Sequence, residues 1–305
     1  MIALNKEKLK VYLYIVREIA VNLIGYKLGI RKLMRKGAVV NTNCEDMDGV
    51  FNDKISQLDF IKTWGESLQK KPFPCGNVLE IGPGGTLLLG SMLIAEGCKE
   101  YYGIDAFPSL VWGKFATALY GLADRKLPEQ KAEKVRTALS LSKNKNGPIK
   151  YFGNVGVENI IADRCVEPKS IDLIYSWGVL EHVPSPENAF NVLRKVIRDD
   201  GIAIHVIEPS PHTWKRFSNP YVIFCIPDWL WGLMYHGRNF QNRFRASDYV
   251  GWARNAGFDV IEAENTEIGK KDHLSIRGKF TERFKSYSDE DILTGRLTLI
   301  LKPSR

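Results

Sequence analysis

The sequence is short of cysteine, and what it has is scattered. Cys44, Cys75, Cys98, Cys165 and Cys225 are odd in number, and the closest two stand 23 residues apart. No C-x-x-C pair occurs, so neither a zinc ribbon nor a dithiol redox motif is indicated, and the pattern reads as buried thiols in a reducing compartment. Long apolar runs are missing as well. No window reaches about 18 uncharged apolar residues, so no membrane-spanning helix is expected. Lys6, Lys8, Lys10, Arg17 and Glu18 interrupt the first apolar residues and no A-x-A site follows, unlike a cleaved signal. A cytoplasmic location is expected. Surplus charge is absent from most of the chain. The net charge is +8, but residues 1–36 hold nine Lys/Arg and two Glu, a local +7 that leaves +1 for the rest. A broad basic face is therefore lacking, and no nucleic-acid partner is expected.

What is present is an ordinary globular composition over 305 residues, with 44% hydrophobic and 26% charged residues. That is enough chain for a large core without disulfide staples. Helical spacing of Leu9, Tyr12, Leu13, Val16, Ile19, Ala20, Leu23 and Ile24 predicts a helix over 5–35, and a second helix is predicted over 51–70. The run Lys71-Pro-Phe-Pro-Cys-Gly76 then breaks the chain. Beyond it, strands are predicted at 77–82, 100–105, 149–153, 171–176 and 201–207, alternating with helices at 86–97, 109–124, 129–142 and 186–199. An aromatic-rich segment, a helix at 246–256 and strands at 258–263 and 296–302 follow. The alternation predicts an α/β fold on a mostly parallel sheet. Residues 1–70 read as a helical extension and 71–305 as one domain with an aromatic cap at 211–245.

The chemistry begins at the first strand, Asn77-Val-Leu-Glu80-Ile-Gly82-Pro83-Gly84-Gly85-Thr86. Glycines there let the backbone turn sharply and approach a ligand, and the helix that follows presents its N-terminal amides. The second strand ends in Asp105, placed to accept hydrogen bonds from the ribose hydroxyls of a nucleoside cofactor. A dinucleotide fingerprint requires G-x-G-x-x-G, and Leu87 stands where its third glycine belongs.

The E-x-G-x-G-G pattern resembles the first motif of class I S-adenosylmethionine-dependent methyltransferases. Ser170-Ile-Asp172-Leu-Ile-Tyr-Ser176-Trp177-Gly-Val-Leu180-Glu181-His182-Val183-Pro184 resembles the fourth strand and "LEHV" loop of the same family, with Ile171 where Phe is usual. Ala256-Gly257-Phe258 resembles the "AGF" before its sixth strand. The resemblance covers about 77–263 and implies a Rossmann-like seven-stranded sheet with helices on both faces. It also implies S-adenosyl-L-methionine as cofactor, held by Glu80, Gly82, Pro83, Gly84, Gly85, Asp105, Ala106, Asn154, Val155, Ser176 and Trp177. Glu80 is expected to help anchor the cofactor's ammonium, and Asn154 to pair with the adenine, with Asp163 as its rival.

His205-Val-Ile-Glu208-Pro-Ser-Pro-His212 resembles a segment of methyltransferases encoded with polysaccharide and lipopolysaccharide genes. His212 is read as a general base or a loop histidine, and His182 as a base or a packing residue below the cofactor. Trp214, Arg243 and Arg245 are candidate substrate-binding residues, with a salt bridge as the alternative for the arginines. No tight ligand spacing indicates a metal. The function expected is methyl transfer to a hydroxyl of a small molecule, a glycan or a lipid-linked glycan precursor of polysaccharide biosynthesis. The alternatives are an NAD(P)-dependent oxidoreductase and a catalytically silent membrane-associated protein. The basic N-terminal helix has three readings: packing on the domain, forming a homodimer, or peripheral membrane contact through 1–36.

Overall fold

In the computed structural model the described residues are 2–27, 46–69, 76–107, 112–141, 147–212, 216–234, 241–267 and 270–305. Seven strands form one sheet: β1 (Asn77–Ile81), β2 (Glu100–Asp105), β3 (Ile149–Gly153), β4 (Ile171–Trp177), β5 (Ile197–Ile207), β6 (Phe258–Glu267) and β7 (Thr294–Pro303). Their order is β3-β2-β1-β4-β5-β7-β6. The pairs β1–β2, β1–β4, β2–β3 and β4–β5 are parallel, and only β7 runs against its neighbours. The expected strands are all present, within a few residues of their predicted ends.

Alternation along the strands builds two cores. Leu79 and Ile81 of β1, Ile174 of β4 and Ala203 of β5 face a layer formed by the helices Pro186–Val196 and Ala246–Asn255. Val78, Leu173, Tyr175, Ile202 and Ile204 face the opposite layer, with the helices Leu88–Glu96, Trp112–Lys126 and Glu129–Leu141. The helix Met47–Gln69 also belongs there, burying Phe51, Leu58 and Ile61 against the sheet.

The cap has a separate small core. Phe217, Tyr221, Ile223, Phe224, Trp231 and Met234 pack with Phe280, Phe284, Ile292 and Leu293 from the chain between β6 and β7. These aromatics are therefore spent on the cap's own interior. The N-terminal helix, α1 (Ile2–Ala20), runs into a wider turn at Val21–Lys27. Its Tyr14 sits edge-on to Phe217 at 5.4 Å, and Asn22 donates to the Leu233 carbonyl at 2.8 Å. The remainder of the predicted 5–35 helix falls at 28–35, outside the described residues.

Ser176 and His205 face each other across β4 and β5, and the Ser176 hydroxyl lies 2.8 Å from His205 Nδ1. Both side chains are fully buried, and His205 meets Phe190 edge-on. His205 is thus a core residue, and the Ser176 hydroxyl is used inside the sheet. Burial pushes the His205 pKa down to about 3. The unfolded chain thus binds a proton below about pH 6.5 that the folded chain refuses, so stability is full above that pH and falls on acidification. Between pH 7.5 and 5 this group should cost about 2 kcal/mol. Urea unfolding at both pH values checks it. His205→Gln, which keeps a partner for Ser176 but does not titrate, should remove that part of the loss.

Candidate functional site

The strand order reverses between β1 and β4, so the loops leaving these strands diverge and open a crevice at the C-terminal edge of the sheet. Gly82 takes φ +71, and a β-carbon there would lie 2.5 Å from Val179 Cγ2. The glycine turn and the loop after β4 are thus in direct contact. Gly84 takes φ +76, and a β-carbon there would meet nothing within 4 Å. The backbone at Gly84 faces open space that a side chain would fill. Pro83 is buried beneath the turn, and Gly85 is half-buried.

Glu80 lies under this turn, almost fully buried. Tyr101 donates its hydroxyl proton to Glu80, and Lys54 Nζ from the helix Met47–Gln69 stands 3.9 Å away. Burial raises the carboxyl pKa, while Lys54 and Tyr101 pull it down. Glu80 therefore has partners of its own within the protein. Asp105, also buried, ends β2 and accepts the Phe107 N–H at 2.9 Å. Its carbonyl accepts the Val155 N–H at 3.1 Å, which ties the ends of β2 and β3 together. Asn154 is exposed there in a left-handed conformation, φ 65, and Ala106 is exposed beside Asp105. The Trp177 ring at the end of β4 lies edge-on to Phe60 at 6.0 Å, with the Arg296 guanidinium 5.6 Å from its centre. The residues fit a nucleoside bearing an amino-acid arm: an open glycine turn, a buried carboxylate on the next strand and an exposed amide on the third.

On the other side of the crevice, Glu181 and His182 lie on a short 3-10 turn, Leu180–His182, which directly follows the Val179 contact with Gly82. His212 arrives from the loop after β5, with its ring 5.1 Å from that of His182. One ligand-capable atom of each of Glu181, His182 and His212 lies within 4.8 Å of the others. Glu181 is 1% exposed, and its Oε2 has no hydrogen-bond partner among the described residues. Burial pushes its pKa up to about 8, against the backbone N–H groups of Glu181 and Glu208, while the Glu208 carboxylate adds to the rise. Desolvation holds His212 below the ordinary imidazole value, and Glu208 opposes it. Glu208 itself pairs with Arg296 at 3.2 Å.

Two amides hold this arrangement, and neither Gln241 nor Asn242 carries a motif of its own. Gln241 Nε2 donates to the Ser210 carbonyl at 2.6 Å, and its Oε1 accepts the His212 N–H at 3.3 Å. Asn242 Nδ2 donates to the carbonyls of Leu180 and Val183, both at 2.9 Å, while its N–H donates to the Glu181 carbonyl at 2.8 Å. One dipeptide thus fixes both loops that carry the Glu–His–His group. The two following arginines are a correction. Arg243 and Arg245 are fully buried and cannot reach a substrate. Arg243 donates to the carbonyls of Ile223 and Ile226 and to Asp228. Arg245 donates to the carbonyls of Pro209, Asp291, Ile292 and Thr294. They bind the cap's main chain. Trp214 lies outside the described residues.

Comparison with known proteins places this geometry. A family model described as a methyltransferase domain matches residues 55–263. No curated protein matches the sequence. Among solved structures, the chain is similar to the YcgJ protein of Bacillus subtilis at 16% identity, covering 82% of this chain and 98% of that one, TM-score 0.42. It is similar to an S-adenosylmethionine-dependent methyltransferase of Mesorhizobium loti at 14% identity, with coverages of 80% and 99%, TM-score 0.42. It is also similar to an arsenic(III) S-adenosylmethionine methyltransferase of Chlamydomonas reinhardtii at 16% identity, with coverages of 83% and 73%, TM-score 0.41. These likenesses are distant, and the family model carries the assignment. Nothing in them supports an oxidoreductase. With its glycine turn, Asp105 and LEHV loop on a seven-stranded sheet, the chain belongs to the methyltransferase-domain family and is an S-adenosylmethionine-dependent methyltransferase of class I.

Proposed function

We propose that the enzyme methylates a hydroxyl oxygen on a small molecule, a glycan or a lipid-linked glycan precursor. The observation that carries this reading is the imidazole pair of His182 and His212 beside the glycine turn. A hydroxyl is a poor nucleophile until its proton is removed, and an imidazole within reach supplies that step. His212 is the exposed member and the one placed to meet an acceptor. The segment His205–His212 adds the likeness to methyltransferases of polysaccharide gene clusters, which favours a glycan acceptor.

Gly82, Gly84 and Gly85 would follow the methionine arm, Asp105 would bind the ribose, and Asn154 with Val155 would border the adenine. Glu80 would help to anchor the cofactor's ammonium from beneath the loop. S-adenosylmethionine, when bound, supplies a methyl carbon on a positive sulfur, so that the acceptor's O–CH3 bond forms as the S–CH3 bond breaks and its electron pair stays on sulfur. The chain's own contribution is to hold the acceptor in line and to take its proton.

Asp105→Ala should weaken binding of S-adenosylhomocysteine roughly tenfold to a hundredfold by calorimetry, the loss of hydrogen bonds to a charged group. Unchanged affinity removes the ribose assignment. His212→Ala should lower turnover about a hundredfold while sparing that affinity. Mass spectrometry of cell extract incubated with the enzyme and methyl-labelled donor identifies the product, and a labelled nitrogen or carbon in place of oxygen would refute the reading.

A second proposal concerns location. The face of α1 opposite the cap leaves Leu9, Tyr12, Leu13 and Val16 exposed, continued by Leu23 and Ile24. Lys6, Lys8 and Lys10 precede this stripe, and no helix among the described residues is long and apolar enough to cross a membrane. A basic amphipathic helix of this kind lies along an anionic membrane surface, which would bring a lipid-borne acceptor to the crevice. The protein should cosediment with phosphatidylglycerol-containing vesicles and much less with phosphatidylcholine alone. The double variant Leu13→Glu, Val16→Glu should abolish this without changing S-adenosylhomocysteine affinity. A soluble homodimer that buries the stripe would overturn the proposal.

A further inference from the structure

The group Glu181, His182 and His212 contains more than proton transfer needs. A base requires one imidazole. Here His212 joins the adjacent Glu181 and His182 from a separate segment, with one ligand atom from each lying within 4.8 Å of the others. The carboxylate is the informative member. A buried carboxyl oxygen without a hydrogen-bond partner is costly, yet Glu181 Oε2 is buried with none among the described residues.

The frame around the group is rigid where a ligand set needs it. Asn242 clamps the main chain of the Leu180–His182 turn from both sides, and Gln241 clamps the main chain of the His212 loop. A metal site requires such outer support to keep its ligands aimed.

We infer that Glu181, His182 and His212 bind one divalent transition-metal ion. Two nitrogens and one oxygen suit Mn2+, Fe2+, Co2+ or Zn2+ better than Mg2+ or Ca2+, which prefer all-oxygen sets. Three protein ligands leave coordination positions open, as in catalytic rather than structural sites. An acceptor hydroxyl is the natural occupant. Bound to the ion, its O–H is acidified and the proton leaves to water, so the alkoxide forms without a free imidazole. This part rests on the O-methyl reading above. In the filled site His182 and His212 are ligands, and in the empty site His212 is the base.

The test is calorimetric titration of the chelator-stripped full chain with MnCl2 and with ZnCl2, in the absence of donor and acceptor. One equivalent should bind. His212→Ala, at an exposed position, and Glu181→Gln, nearly isosteric, should each weaken binding by about tenfold or more, with thermal unfolding confirming that both remain folded. Absent stoichiometric binding to the native chain, or binding that neither variant alters, overturns the site. Product analysis separates the two claims. Methylated product at full rate in excess chelator removes the ion's catalytic role and leaves O-methyl transfer standing. Stoichiometric ion binding with label found on nitrogen or carbon keeps the site and removes the hydroxyl reading.

Discussion

Buried side-chain donors that satisfy main-chain carbonyls hold this enzyme's cap, and they are concentrated in the five residues 241–245. Gln241 and Asn242 tie the two loops of the candidate site, and Arg243 and Arg245 tie the cap. The buried Arg245 guanidinium uses all three of its nitrogens on main-chain carbonyls, and removing those partners would strand a charge in a dry interior. The carbonyls bonded to Arg245 come from three places: the loop after β5, the turn Asp289–Leu293 and the start of β7. None of these can shift without disturbing the others. The cap and the Glu–His–His group are therefore mechanically one object, although their side chains occupy different cores.

The second constraint is the contact between Gly82 and Val179. It presses the glycine turn of β1 against the loop of β4 at the point where the strand order reverses. Any side chain at Gly82 would force the two apart, quite apart from its positive φ. The turn that would hold the donor and the loop that carries Glu181 and His182 are thereby set at a fixed separation. In-line transfer gains most from such preset positioning, because the entropy of bringing donor and acceptor together is settled by the fold.

How much of this could be read beforehand depended on the range of the interaction. Parallel strands are buried on both faces and read as apolar runs, so Asn77–Ile81 and Ile171–Trp177 were evident. The glycine turn, Asp105 and the LEHV loop are local motifs, and their order along the chain carried the family. The Glu–His–His group was hidden because His212 lies 30 residues beyond the adjacent Glu181 and His182 and meets them only through the fold. Arg243 and Arg245 misled for a chemical reason: the same planar fork that binds a phosphate also binds carbonyls, and sequence does not say which side of the surface it is on. His205 is buried because β5 is covered on both faces over its last seven residues, while Glu208, one residue past the strand, is half-buried. The aromatic rings after β5 are needed for the cap's own core.

Charge joins these parts. The donor's sulfur is positive, and the proposed hydroxyl acceptor would become reactive only as it approaches an alkoxide. A crevice lined only by a carboxylate such as Glu208 would oppose formation of that alkoxide. In the proposed reaction the imidazoles of His182 and His212 would reverse the balance, whether by accepting the proton or by helping to hold a cation that acidifies it. Arg296, paired to Glu208 and lying over Trp177, adds a fixed positive charge on the same side. The near-neutral body of the enzyme thus conceals a local division. Acidic groups lie under the glycine turn at Glu80 and at the end of β2 at Asp105, on the side proposed for the cationic donor. Mixed charge lies at the ends of β4 and β5, where the proposed acceptor would lose its proton.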